Sequence, residues 1–449
     1  MLKKNYEELK KRKKILSAVD VLGSFDFLTY TISLDSLNLN DIKILSDVKN
    51  LSQSETNYKY RKVSSLAVHE YTHFIDASST IWGINHLYLM NEAYLSSDSY
   101  KKDPEQFYKA KEFHTHITKI KYPKYYNVIG KVGNPFPWGA SPTMGLLFGA
   151  DGKLTDEGIV FMRFYTTSRE EIARIPISAV SVLEASAMAN EIFMKVDLVN
   201  ALSVKEDFIL ANKDLHDEVM SFLYNKELTE YSACVHMLAN QQQCKDVLQA
   251  FYLVSLITKI VLNTTESAFY KIIELNIFKE IFKIKDEEST HYIRIKQGLI
   301  YKNIGMLYYL LVSGLPEKSY INPDSAMKGV SISLSKLGLD IDFIKKSALE
   351  EFNKKCDEIL TTQIDPLKQL SIIAKVNFNM IDITKPSLPF DKLHLPKVIL
   401  NDFDEDDNIA ESLIFLNKNN LFKDYNIDES YIELTKGVEW VYRFSESCV

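Results

Sequence analysis

The segment LAVHEYTHFIDASST, residues 66 to 80, places two of the chain's nine histidines, His69 and His73, four residues apart, with Glu70 directly after the first. On a helix, residues four apart share one face, so both imidazoles can reach a common point about one turn wide. Converging imidazole nitrogens suit a divalent cation such as zinc, which in catalytic sites takes three protein ligands and leaves a fourth position to water. A bound zinc brings the pKa of that water towards neutrality, and a carboxylate beside the metal can then take its proton. Glu70 adjoins the first ligand and projects to its flank, where such a base belongs.

This chemistry needs a helix under the motif and a third ligand from elsewhere. Val63, Leu66, Ala67, Phe74 and Ile75 give residues from about 63 onward an apolar helical face, and no proline interrupts them. Two glutamates are candidates for the third ligand. Glu184, in SVLEASAMANE, sits among Val180, Leu183, Ala187 and Met188, where a carboxylate is costly unless it meets a metal or a cation. The alanines around it allow close approach to another helix. Glu92, in LMNEAYLSS, comes level with His73 if the chain reverses near Gly83. The reading favours Glu184 and keeps Glu92 as the alternative. Asp76 lies about one turn beyond His73 and is placed either to orient a ligand imidazole through its free N–H or to bond Ser79 or Thr80 near the helix end. A donor for a developing oxyanion is also required. Tyr165, Arg163 and Tyr125 fall in a suitable region, but nothing in the sequence selects among 25 tyrosines. His86, His114 and His116 lie in the same half, and the i,i+2 pair reads as surface residues.

In this setting HEYTH resembles the HExxH zinc metallopeptidases. The metzincin extension HExxHxxGxxH is absent, since Asp76 and Ser79 occupy its glycine and final histidine positions. The gluzincin branch takes a glutamate from a second helix instead. Glu92 follows His73 at a spacing similar to that of zinc aminopeptidases. The pair HEYTHF and LEASAMANE resembles uncharacterised bacterial HEYxHF-type proteins, whose Glu-Ser/Ala-x-Ala helix looks like the EGxA ligand helix of other gluzincins. The resemblance covers these two segments and little else. It implies a zincin-like core of a small sheet, the HExxH helix and a ligand helix. It also implies Zn2+ on His69, His73 and Glu184, or Glu92 in its place, and Glu70 as general base. The expected function is hydrolysis of a peptide bond in a protein or peptide substrate by a regulated endopeptidase of narrow specificity, an arrangement compatible with a regulatory protein partner. The alternatives are an aminopeptidase-like exopeptidase and a non-catalytic interaction protein on a zincin-like scaffold.

Composition narrows the remaining classes. With 449 residues and 46% hydrophobic content, the chain can bury one large core or two smaller ones. Lys and Arg number 53 against 60 Asp and Glu, a formal charge of -7, so no nucleic-acid partner is expected. Cys234, Cys244, Cys356 and Cys448 are scattered and form no CxxC pair, which reads as reduced thiols in a cytoplasmic protein. Residues 1–20 form a basic N-terminal arm without the apolar run of a signal peptide. The longest apolar window, AFYLVSLITKIVL, is interrupted by Lys259, so no membrane span is expected.

The expected fold class is α+β, mostly α-helical. SFDFLTYTISL reads as a strand, and residues 21–200 as a zincin-like metallopeptidase domain. Residues 122–158 hold a Gly/Pro/aromatic segment that reads either as a lid or as a β-hairpin with long turns. Ser168 to Glu171 offers a helix capping box. Residues 201–449 read as a helical C-terminal domain. DFDEDD, from Asp402 to Asp407, lacks the spacing of a calcium loop, and GADGKLT fails as a phosphate loop.

Overall fold

SFDFLTYTISL forms a tight hairpin rather than one strand: β1 (Ser24–Asp26) turns back through residues 27–30 into β2 (Thr31–Leu34). Tyr30, at φ 54, donates its N–H to the Asp26 carbonyl, and the Asp26 side chain accepts from the Leu28 amide. The computed structural model describes residues 22–44, 50–99, 101, 103–133, 137–149, 152–400, 409–410 and 419–447. The basic arm at 1–20, the run Asp402–Asp407 and Cys448 lie outside them.

After the hairpin come α1 (Leu39–Ile44), α2 (Ser54–Ser78), α3 (Ile81–Ser99) and α4 (Phe107–Ile120). A strand group follows: β3 (Val128–Ile129), β4 (Gly139–Phe148), β5 (Leu154–Tyr165) and β6 (Glu171–Pro176). The chain continues through α5 (Ala179–Asn200), α6 (Lys205–Leu223), α7 (Thr229–Gln242), α8 (Val247–Leu262), α9 (Glu266–Leu275), α10 (Thr290–Ile300) and α11 (Ile304–Gly314). Then come α12 (Pro323–Ser335), α13 (Ile341–Ile359), α14 (Asp365–Met380), β7 (Val398–Leu400), β8 (Ile409–Ala410) and α15 (Ile427–Ser447). The fold is α+β and mostly helical. No single described helix is long and apolar enough to cross a membrane, and α8 with α9 passes only as a pair bent by 98°.

Two four-stranded sheets flank the helices, in the orders β1-β2-β7-β8 and β3-β6-β5-β4. The first is not built from N-terminal residues alone. β2 pairs in parallel with β7 from the far end of the chain, Ile32 opposite Val398. In the second, much of the Gly/Pro segment becomes the long β4–β5 hairpin, so the hairpin alternative describes it better than a free loop. The glycines fit because rings lie over them: a Cβ on Gly139 would fall 2.1 Å from the Tyr165 ring, and one on Gly145 2.7 Å from that of Phe161. Pro142 is tolerated because β4 is an edge strand. Ser168 to Glu171 caps no helix. It forms the β5–β6 turn, with Arg169 at φ 69 and Thr166 Oγ1 bonded to Ser168 Oγ.

One hydrophobic cluster runs from Phe25 to Val441 and includes residues on both sides of position 200. α5 is its axis, packing against α2, α7, α8 and α11.

Candidate metal centre

Helices α2 and α5 present the site, and each is held by local chemistry. In α2, residues from Asn57 to Ser78 are mostly buried on several sides at once, which fixes its rotation as well as its position. Asn57 donates to the carbonyls of Leu51 (2.8 Å) and Leu198 (2.6 Å), tying the start of α2 to the end of α5. The other end of α2 turns sharply. Thr80 Oγ1 donates to the Asp76 carbonyl and accepts from the Gly83 amide, and a Cβ on Gly83 would sit 2.4 Å from the Ala77 carbonyl carbon. Helix α5 begins with a reciprocal cap between Ser178 and Ser181 and continues through Ala185, Ser186, Ala187 and Ala189, whose small side chains permit close packing.

At this contact His69 Nε2 lies 3.2 Å from His73 Nε2 and 3.3 Å from Glu184 Oε2, while His73 Nε2 lies 3.6 Å from Glu184 Oε1. Zinc bonds of about 2.0–2.1 Å in a tetrahedron separate neighbouring donors by about 3.3–3.4 Å. The three donors therefore stand close to the edges of a zinc tetrahedron. The protein alone satisfies this arrangement poorly. Glu184 is 2% exposed, its Oε2 accepts no hydrogen bond, and two imidazole nitrogens face each other and a carboxylate. A cation at the centre would complete all three groups at once.

The charges are strongly coupled. Burial opposes a proton on His69, yet contacts with Glu184 and Glu191 override it and raise the imidazole well above its ordinary value. Burial also opposes charge on Glu184, but His73 and His69 outweigh it and hold the carboxyl at about 2. His73, fully enclosed, is lowered by burial against the pull of Glu184. Any ion held by these groups would have to displace a proton from the His69 imidazole, so binding there would be pH-dependent.

Glu191, which sequence reasoning missed, completes the support. Its Oε2 lies 2.9 Å from His69 Nδ1, and Lys195 Nζ bridges Glu191 Oε1 (2.7 Å) to Glu218 Oε1 (2.6 Å). Burial works against ionised Glu191, but Lys195 and His69 bring it down to about 2. An Nδ1–H donated to Glu191 leaves the Nε2 lone pair of His69 facing the metal position. The available signal was spacing, since Glu184 and Glu191 are two helical turns apart on one face. Glu191→Gln is expected to weaken zinc affinity about 10–100-fold with little loss of fold, measured by competition against a chromogenic chelator.

Asp76 does not take the orienting role. It is buried beside Ser186 in the field of Lys259, and burial raises its carboxyl to about 7. Its Oδ2 and the Nδ1 of His73 both lack hydrogen-bond partners. Thr80 and Ser79 do not bond its carboxylate; Thr80 uses the Asp76 carbonyl instead. Glu92 is not brought to the histidines. It faces α4, where Lys109 holds it at 2.6 Å. Arg163 pairs with Glu171 on the surface, Tyr125 is 64% exposed, and Tyr165 lies under the Arg169 guanidinium.

The surface expectation for His114 and His116 is corrected, since both are half-buried, and His116 packs against His86. His86 is fully buried, with Nε2 2.9 Å from the Phe27 carbonyl and Nδ1 3.1 Å from His116 Nε2. Burial lowers them to about 4 and about 3, so both remain neutral and uncharged within the aromatic packing of Trp82 and Phe113.

The three-donor cluster opens into a cleft of about 500 Å³, whose lining includes Glu70, Phe25, Leu37, Met188, Phe222 and Tyr231. Glu70 is 5% exposed and borders the same space as His69, His73 and Glu184. No protein-family model, curated protein or solved structure matches the chain.

Proposed function

We propose that the chain is a zinc-dependent peptidase, in which His69, His73 and Glu184 hold the ion and Glu70 is the general base for hydrolysis of a peptide bond. The observation that carries this reading is the convergence of three donors, from two separate helices, at tetrahedral spacing beside a buried glutamate in an open cleft. A bound zinc would supply Lewis acidity and lower the pKa of water in the cleft. Glu70 takes the proton from the attacking water and returns it to the departing amine. Glu191 fixes the His69 tautomer.

The surroundings support a zincin-like core: the β1–β2 hairpin packs on α2, and α5 supplies the ligand from the other flank. The aminopeptidase alternative rested on Glu92, which Lys109 occupies elsewhere, so an endopeptidase is the reading kept. The test is incubation of the zinc-loaded protein with a degenerate peptide library, cleavage being read by mass spectrometry. Cleavage that stops with a chelator and returns with zinc is expected. Full zinc occupancy without cleavage would favour a non-catalytic scaffold.

A further inference from the structure

Arg61 is 7% exposed, and its Nη1 is buried without a hydrogen-bond partner. Among the described residues it forms no ion pair, and its one aromatic neighbour is the exposed ring of Tyr58, 5.8 Å away. Lys195, the other buried cation of the cleft, is held by two carboxylates. A buried guanidinium nitrogen with no acceptor is costly, because its desolvation is not offset by a hydrogen bond. Arg61 lines the same cleft as His69, Glu70 and His73, so the open space before it is substrate space.

We propose that Arg61 reads an anion on the substrate, and that this anion is a carboxylate: an Asp or Glu side chain, or the C-terminus of the peptide. The proposal deepens the peptidase reading and rests on it. The planar fork of arginine matches a carboxylate with two parallel hydrogen bonds, and a low-dielectric wall strengthens them. Position adds a distance rule. Arg61 precedes His69 by two helical turns on α2, about 12 Å along the axis. An extended peptide covers about 3.3 Å per residue, so the carboxylate falls about three to five residues from the bond cleaved. A side-chain carboxylate makes the enzyme an acid-directed endopeptidase; a terminal one makes it release short C-terminal fragments.

The experiment uses two degenerate libraries, one with free and one with amidated C-termini, on zinc-loaded wild type, Arg61→Gln and Arg61→Met. Wild type is expected to enrich Asp and Glu at one position three to five residues from the cut in both libraries. Alternatively it cuts only the free library, at a fixed distance from the end; these two results separate the sources of the carboxylate. In either variant that preference should fall about tenfold or more. Arg61→Met should melt no lower than wild type, because it removes a buried charge whose Nη1 has no hydrogen-bond partner. A lower melting temperature with selectivity intact would mark Arg61 as structural and overturn the inference. Cleavage without acidic or terminal preference, unchanged in Arg61→Gln, overturns the inference and leaves the peptidase reading standing. Absence of any cleavage removes both.

Discussion

Glu70→Gln is expected to lower turnover of a cleaved peptide by about 10²–10⁴-fold, the contribution typical of a positioned general base. Zinc content should stay at one ion per chain, because glutamine keeps the shape of the side chain and Glu70 lies outside the three-donor cluster. KM should change little, since the substitution removes an interaction made as the proton moves rather than on binding. The decisive measurement is kcat on one defined peptide, with metal content determined on the same preparation. Turnover near that of wild type would take the base role away from Glu70, and with it the mechanism.

Glu184→Ala is expected to empty the site. Two imidazoles alone hold zinc far more weakly than three ligands. If a strong site gains about 3 kcal/mol per ligand, the loss is on the order of a hundredfold or more. Elemental analysis of wild type, Glu184→Ala and Glu92→Ala purified together should give zinc in the first and third only. Glu92→Ala removes a partly exposed pair with Lys109, and surface pairs of this kind are worth about 0–1 kcal/mol, so its fold should persist. Zinc retained by Glu184→Ala and lost from Glu92→Ala would reverse the ligand assignment.

The site was more legible in sequence than the fold around it. Helical periodicity places His69 and His73 on one face whatever surrounds them, and Glu184 betrayed itself as an acid among Val180, Leu183 and Ala187. Glu191 was hidden because its partner is a ring nitrogen on another helix, a contact no local pattern records. Arg61 was hidden for the opposite reason, since the absence of a counter-charge is visible only in three dimensions. Gly139, Gly145 and Pro142 argue for a loop by propensity, and the strand forms because Tyr165 and Phe161 cover the glycines and an edge position spares the proline a ladder bond. The turn at residues 27–30 has no glycine or proline and so read as strand. Helices α6, α8, α9 and α13 were plain from their three-and-four spacing, as amphipathic or apolar elements packed locally tend to be.

The parallel pairing of β2 with β7 sets a timetable for biosynthesis. Ile32 cannot meet Val398, nor can Tyr71 donate to the Pro396 carbonyl, until the more than 300 residues between these partners have been made and have left the ribosome. At about 5–20 residues per second that delay is on the order of tens of seconds. Throughout it, the helix bearing His69 and His73 lacks the sheet that seats its outer flank. Translation itself therefore postpones the seating of that helix until β7 has been made, so a product that stops short of Val398 carries the motif without the strand that closes the sheet beside it.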